Sequence, residues 1–406
     1  MSFSLKCFKF PAVVSLSLLF LPGVTLAQHY KQTNLVSNIP GMAAVTDPNL
    51  RNPWGLTRSP SGSPWWTANN ATGTTSLFNG AGAGVNIFTE ADGSAGNFAF
   101  VPPPKMAPAG TLSAPTGIVF NGSATDFILD KGTPAGKNAV FIFVTEDGTI
   151  SGWNAAANIP AGGKAPSTQA VLEVDNSDNG GADGAVYKGA TSGEINGKKY
   201  LYVANFRKGR IEVYDTNFKP VHLGEDAFDP DFDGDHDRED RGGRIPRGFA
   251  PFNVQNIGGV LFVTYAKQDG AKHDDVPGDG NGYVRIFSTT GKLIGHLPHG
   301  DWFNSPWGVV WTTRDFGEFS NAILVGNFGS GKIAAFNGFT YKFMGFVQDS
   351  TTGTDMVIDG LWSLTFANDG TAGTANTLYF SAGINGESDG LFGTITPVDG
   401  LDGDEE

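Results

Sequence analysis

The chain has 406 residues, with 41 acidic against 27 basic side chains and a formal net charge of −14. With no Lys/Arg cluster, that balance excludes a nucleic-acid or anionic-membrane binder, since both rely on grouped cations. Its 57 glycines and 23 prolines suit short strands joined by tight turns, and its one cysteine, Cys7, leaves no disulfide or thiol chemistry beyond the N-terminal leader.

In chain order, residues 1–27 read as a signal peptide. Lys6 and Lys9 form a basic start, Val13 to Leu21 is apolar, and Thr25-Leu26-Ala27 offers a small-residue cleavage site. The expected destination is the periplasm or the extracellular space, with no membrane span in the mature chain. From 28 to 396 the chain repeats. A Pro-x-Gly-aliphatic segment recurs at Gly55, Gly117, Gly189, Asn253, Gly308 and Ser363, in steps of 62, 72, 64, 55 and 55 residues. Each is followed by a glycine that opens a short strand, as in Gly73-TTSL-Phe78, Gly148-TISG-Trp153, Gly209-RIEV-Tyr214, Gly282-YVRI-Phe287, Gly331-KIAA-Phe336 and Gly390-LFGT-Ile395. Alternating apolar residues in these stretches carry the period of two of sheet strands. A β-rich unit of this length buries its sheet faces by stacking on neighbours around an axis, so the fold class is all-β, a six-bladed β-propeller. The last blade is short of a strand. The segment Lys31-Gln32-Thr33-Asn34-Leu35-Val36-Ser37 is expected to supply it and close the ring. Residues 225–247 read as an Asp-rich inserted loop, and 397–406 as an acidic tail.

The stretches NPWGL (52–56), FVTEDGTISGWN (143–154), VYKGA (186–190), YVANFRKGRIEVYD (202–215), VTYAKQDGAKHDDVPGDGNGYV (263–284), SPWGVV (305–310) and DGLWSL (359–364) resemble a family of uncharacterised secreted bacterial β-propeller proteins. The likeness covers nearly all of 31–395. It implies a propeller and secretion, and no activity. Some relatives of that family end in a hydrophobic sorting tail, which Leu401 to Glu406 do not resemble.

Two sets of residues point to chemistry. Asp229, Asp231, Asp233, Asp235, Asp237 and Asp240 stand at positions 1, 3, 5, 7, 9 and 12 of a loop with Gly234 at position 6. That is the spacing by which short carboxylates wrap a calcium ion. Against it, position 12 is Asp rather than Glu and the flanks are not amphipathic helices. The plainer reading is a solvated acidic linker neutralised by Arg241, Arg244 and Arg247. The second set is a rim: up-and-down blades bring the blade openings and the second-to-third-strand turns to one face. That face gathers Asn69, Glu146, Asp147, Asn205, Asn253, Asn327 and Asp359. It also gathers the long 267–281 loop, whose His273, Asp274 and Asp275 offer a base beside two acids as catalytic candidates. Asn and Asp also suit turns on conformational grounds alone. Trp54, Phe252, Trp307 and Trp362 recur at one position of four blades; packing between neighbouring blades is expected of them, ahead of an aromatic collar for a ring ligand.

Gly326 to Lys332 has phosphate-loop spacing, but Ile333 replaces the magnesium-binding Ser/Thr and a strand follows instead of a helix. Three functions stay open. A ligand- or partner-binding module for a glycan, polymer or protein leads. A metal-dependent hydrolase or lactonase at the channel mouth comes next, and an envelope or matrix structural protein last.

Overall fold

The computed structural model describes residues 29–90, 92–129, 136–159, 163–178, 181–231 and 244–398. Five four-stranded antiparallel sheets and one sheet of five strands follow one another around an axis. Blade 1 runs Pro53–Thr57, Trp65–Asn69, Thr74–Phe78 and Phe98–Phe100; blade 2 opens at Pro115–Phe120 and blade 3 at Tyr187–Ile195. Blades 4, 5 and 6 open at Phe249–Ile257, Pro306–Trp311 and Leu361–Phe366. The expected six-bladed propeller is therefore the fold. No helix of the described residues is long and apolar enough to cross a membrane. Residues 1–28, 399–406 and 232–243 lie outside the described residues, and with them the expected signal peptide, most of the acidic tail and part of the Asp-rich insertion.

The repeated glycine of the blade openings has a steric cause. The first strands of neighbouring blades nearly touch around the axis, so a Cβ on Gly55 would sit 2.5 Å from the Thr116 carbonyl oxygen. One on Gly117 would sit 2.6 Å from the Ala190 nitrogen. Only glycine permits that approach. Outward from the axis, each pair of adjacent blades shares its own apolar cluster. Val119, Ile142 and Val144 of blade 2, for example, pack with Tyr187, Leu201 and Val203 of blade 3.

The ring closes as the sequence implies. Tyr30–Ser37 lies antiparallel to Leu391–Pro397 as the fourth strand of blade 6, and Val45–Thr46 adds to its outer side. Tyr30 is fully buried; its hydroxyl donates to the Phe316 carbonyl at 2.9 Å and accepts the Phe319 N–H at 3.1 Å. Ser37 donates to the Gly390 carbonyl at 2.8 Å. Both chain ends thus share one blade, which removes its exposed edge.

Candidate functional site

One residue stands immediately before each blade-opening position. Those six residues are Trp54, Thr116, Lys188, Phe252, Trp307 and Trp362. The four aromatics pack between neighbouring blades, as expected, and also meet across the axis. Trp54 of blade 1 stacks on Trp362 of blade 6 at 3.5 Å and meets Phe252 of blade 4 at 6.4 Å and Trp307 of blade 5 at 6.3 Å. Phe206 and Phe328, from turns, join the same cluster. All four rings are at most 4% exposed, so they seal the channel instead of lining an open collar.

Above this floor stands Lys188, whose side chain is 2% exposed. Its ammonium lies 5.0 Å from the Trp54 ring centroid and 5.8 Å from that of Phe206, a cation–π cage. It pairs with Glu146 and, at 3.2 Å, with Asp274. From there a chain of side-chain hydrogen bonds runs both ways. Asn70 Nδ2 donates to Glu146 at 2.7 Å, and Asn52 Nδ2 donates to Asn70 at 3.3 Å and to Glu387 at 2.8 Å. In the other direction His273 Nδ1 lies 2.8 Å from the Asp274 carboxylate. The sequence Glu387, Asn52, Asn70, Glu146, Lys188, Asp274, His273 crosses blades 6, 1, 2, 3 and 4 on one face. The floor is tied to it, because Trp362 Nε1 donates to Asn52 at 3.1 Å and Trp307 Nε1 to the Lys188 carbonyl at 2.9 Å.

The charges tune one another. Burial alone would lower the Lys188 ammonium, but Glu146 and Asp274 outweigh it and hold it above the usual lysine value. The His273 hydrogen bond holds Asp274 well below the carboxylate range, with Lys188 adding to it against burial. The same bond raises His273. Burial pushes Glu387 up to about 7, and raises Asp147 and Asp275. A half-exposed imidazole oriented by a carboxylate, in a network whose far end holds a carboxyl raised to about 7, can accept and return protons. Ligand atoms of Glu146, His273 and Asp274 also lie within 4.8 Å of one another, close enough to share one metal ion.

Of the rim residues read from sequence, the structure brings together Glu146, His273 and Asp274, with Asp147 and Asp275 beside them. The others bond to neighbouring groups of the scaffold. Asn253 is buried, donates to the Trp307 carbonyl at 2.9 Å and fills the space left by Gly189. Asn205 donates to Glu212 at 2.9 Å and accepts the Lys208 N–H; Asn327 accepts the Asn304 N–H at 2.9 Å. Asp359 is exposed and accepts the Asn385 N–H at 2.7 Å. In the Asp-rich loop, Asp229 accepts the Asp231 N–H at 2.9 Å, while Asp231 is held by Arg244 at 3.1 Å and the Ile245 N–H at 3.0 Å. Asp233, Asp235, Asp237 and Asp240 lie outside the described residues.

Sequence reading missed Lys188, Glu387, Asn52 and Asn70. Lys188 had a signal, as the one charged residue at a repeat position otherwise held by four aromatics and a threonine.

No known protein-family profile matches the chain. Uncharacterized protein R648 of Acanthamoeba polyphaga mimivirus is 30% identical over 371 residues, covering 90% of this chain and 80% of that protein. The chain belongs to the family of that viral protein. Uncharacterized protein L690 of the same virus is 28% identical over 376 residues, covering 90% of this chain and 85% of its own length. Among solved structures, virginiamycin B lyase from Staphylococcus aureus is 9% identical with a TM-score of 0.45, covering 91% of this chain and all of the enzyme. A glucose dehydrogenase is 10% identical with a TM-score of 0.46, covering 90% of this chain and 98% of its own.

Proposed function

We propose that the protein is an exported propeller that binds a ligand at the channel mouth. The hydrogen-bonded chain from Glu387 to His273 carries this reading. Burying an ammonium and several carboxyls above an aromatic floor costs stability unless every member is paired, and five blades supply the partners. Such perturbed, convergent groups concentrate at functional sites. The chain ends in the half-exposed His273 and in Asp274, whose side chain is 68% exposed, so a ligand is met there. More carboxyls than cations face the mouth, which suits hydroxyl- or amine-bearing ligands, free or on a polymer or protein. A thermal-shift panel of neutral and amino sugars and their polymers, followed by calorimetry, tests the reading. Affinity is expected to fall at least tenfold in Asp274→Asn and His273→Gln, and to hold in Asp359→Asn. Equal affinity in all three refutes the site.

The cluster of Glu146, His273 and Asp274 supports a second reading, a metal-dependent hydrolase or lactonase. A bound ion would supply Lewis acidity there. Lys188 would have to release both acids first, because its ammonium already neutralises them. Calcium and zinc titrations of the full chain and of a chain lacking 225–240 separate the two readings. A tight site that survives the deletion and disappears in His273→Gln supports the enzyme, and none surviving removes it.

A calcium ion in the Asp229–Asp240 loop is a further part of the proposal. The spacing supports it, and Asp231 reaches an ion only by exchanging the Arg244 guanidinium.

A further inference from the structure

A cavity of about 1040 Å3 lies on the flank of blade 3. Its origin is local. The fourth strand of blade 3 is only Pro220–Val221 and pairs with the third strand, Arg210–Tyr214, at Val213 and Tyr214 alone. In blades 1, 4 and 5 the outer strand covers three residues of the third strand: Thr74 to Ser76, Arg285 to Phe287, and Ala334 to Phe336. After Val221 the chain from His222 to Phe228 swings away from the blade, and the cavity is the wedge between them.

That wedge exposes a strand edge. The Asp215 N–H donates outward to the Lys219 carbonyl at 2.8 Å and Val213 pairs outward with Val221. Alternation along an antiparallel strand then turns the N–H and C=O of Ile211 to the same side. Among the described residues no strand meets them there. Unpaired edges of this kind recruit extended chains.

The walls define what chain fits. Ile211, Phe218, Leu223 and Phe228 give the wedge an apolar side. Four carboxylates, Asp178, Asp183, Glu212 and Glu225, line it against two cations, Lys208 and Arg210. Glu212 is fixed from all directions: Arg210 and Asn205 donate to it at 2.7 and 2.9 Å, and the hydroxyls of Tyr187 and Tyr214 at 2.9 Å each. It takes up Arg210, so the exposed Asp178 and Glu225 set the sign of the opening.

We propose that this cleft receives an extended peptide segment of a partner protein. The peptide adds a strand along Arg210–Glu212, turning apolar side chains to the Phe218/Leu223/Phe228 wall and basic ones to Asp178 and Glu225. Fluorescence polarisation with a labelled Lys-Val-Lys-Val-Lys-Val peptide tests this on the full chain. Saturable binding is expected, at least tenfold weaker for the Glu-for-Lys peptide and for the peptide N-methylated on alternate residues. The Asp178→Lys/Glu225→Lys double variant, whose changes are on the surface, is expected to weaken binding similarly. Absence of binding, or binding indifferent to N-methylation, overturns the strand-addition assignment. Binding seen only in a chain lacking 232–243 assigns the edge to this chain's own segment. A dimer in light scattering that the peptide dissociates assigns it to a second copy. Either result overturns the partner assignment.

Discussion

The most direct test of the channel mouth is Glu387→Gln. Glu387 reaches its place on a backbone turn with φ +66° and accepts a hydrogen bond from Asn52 at 2.8 Å. Burial, with the charges of Glu146 and Asp274 working against Lys188, raises its carboxyl from 4.5 to about 7. Between those two values the folded chain keeps a proton that the unfolded chain has released, so stability falls as pH rises through the window. The cost is complete above about pH 7 and absent below about 4.5. At about 1.36 kcal/mol per pH unit it amounts to about 3 kcal/mol. Glutamine keeps the size and the oxygen that Asn52 needs but cannot ionise. Urea unfolding at pH 4.5, 6 and 8 is expected to show the variant more stable than the parent by about 3 kcal/mol at pH 8, with the gain shrinking to nothing at pH 4.5. A gain of equal size at all three values, or no gain at pH 8, would refute a buried carboxylate strained by its neighbours.

Lys188→Met leaves Glu146 and Asp274 without their cation and is expected to cost about 3–5 kcal/mol in urea unfolding. Adding Glu146→Gln should recover part of the loss, and a cost under about 1 kcal/mol would show the pair to be solvated. Truncation before Asn38 removes the closing strand and the burial of Tyr30 and Val36. The two side chains alone are worth about 3–6 kcal/mol, so a truncated chain melting within a degree of the parent contradicts the closure. In Asp274→Asn, His273 loses the hydrogen bond that raises it, and its imidazole NMR titration is expected to drop toward 6.5. An unmoved titration would mean the contact does not persist in solution. Calcium is expected to raise the melting temperature of the full chain and to have no effect once 225–240 is deleted; a rise of the same size in the deletion would rule out the loop.

The ring was legible because its cause repeats: the inner strands need the same close approach, so glycine recurs at four of the six blade openings, with Asn253 and Ser363 at the other two. The site was legible only in part, because it is built from departures from that repeat. Lys188 occupies a position that favours a large aromatic at the axis, and a lone charge there requires counter-charges from adjacent turns. The same logic points to Glu146 and Asp274 without any motif. Glu387 and Asn52 offered no such mark. They meet only because closure brings blade 6 beside blade 1, a contact spanning 335 residues of chain. Asn205, Asn253 and Asn327 stand apart from that network. They recur at turns and blade openings because an amide can satisfy backbone groups there, and recurrence identifies what the scaffold needs. In a repeat protein, the side chain that breaks the pattern at a buried position is the better guide to function.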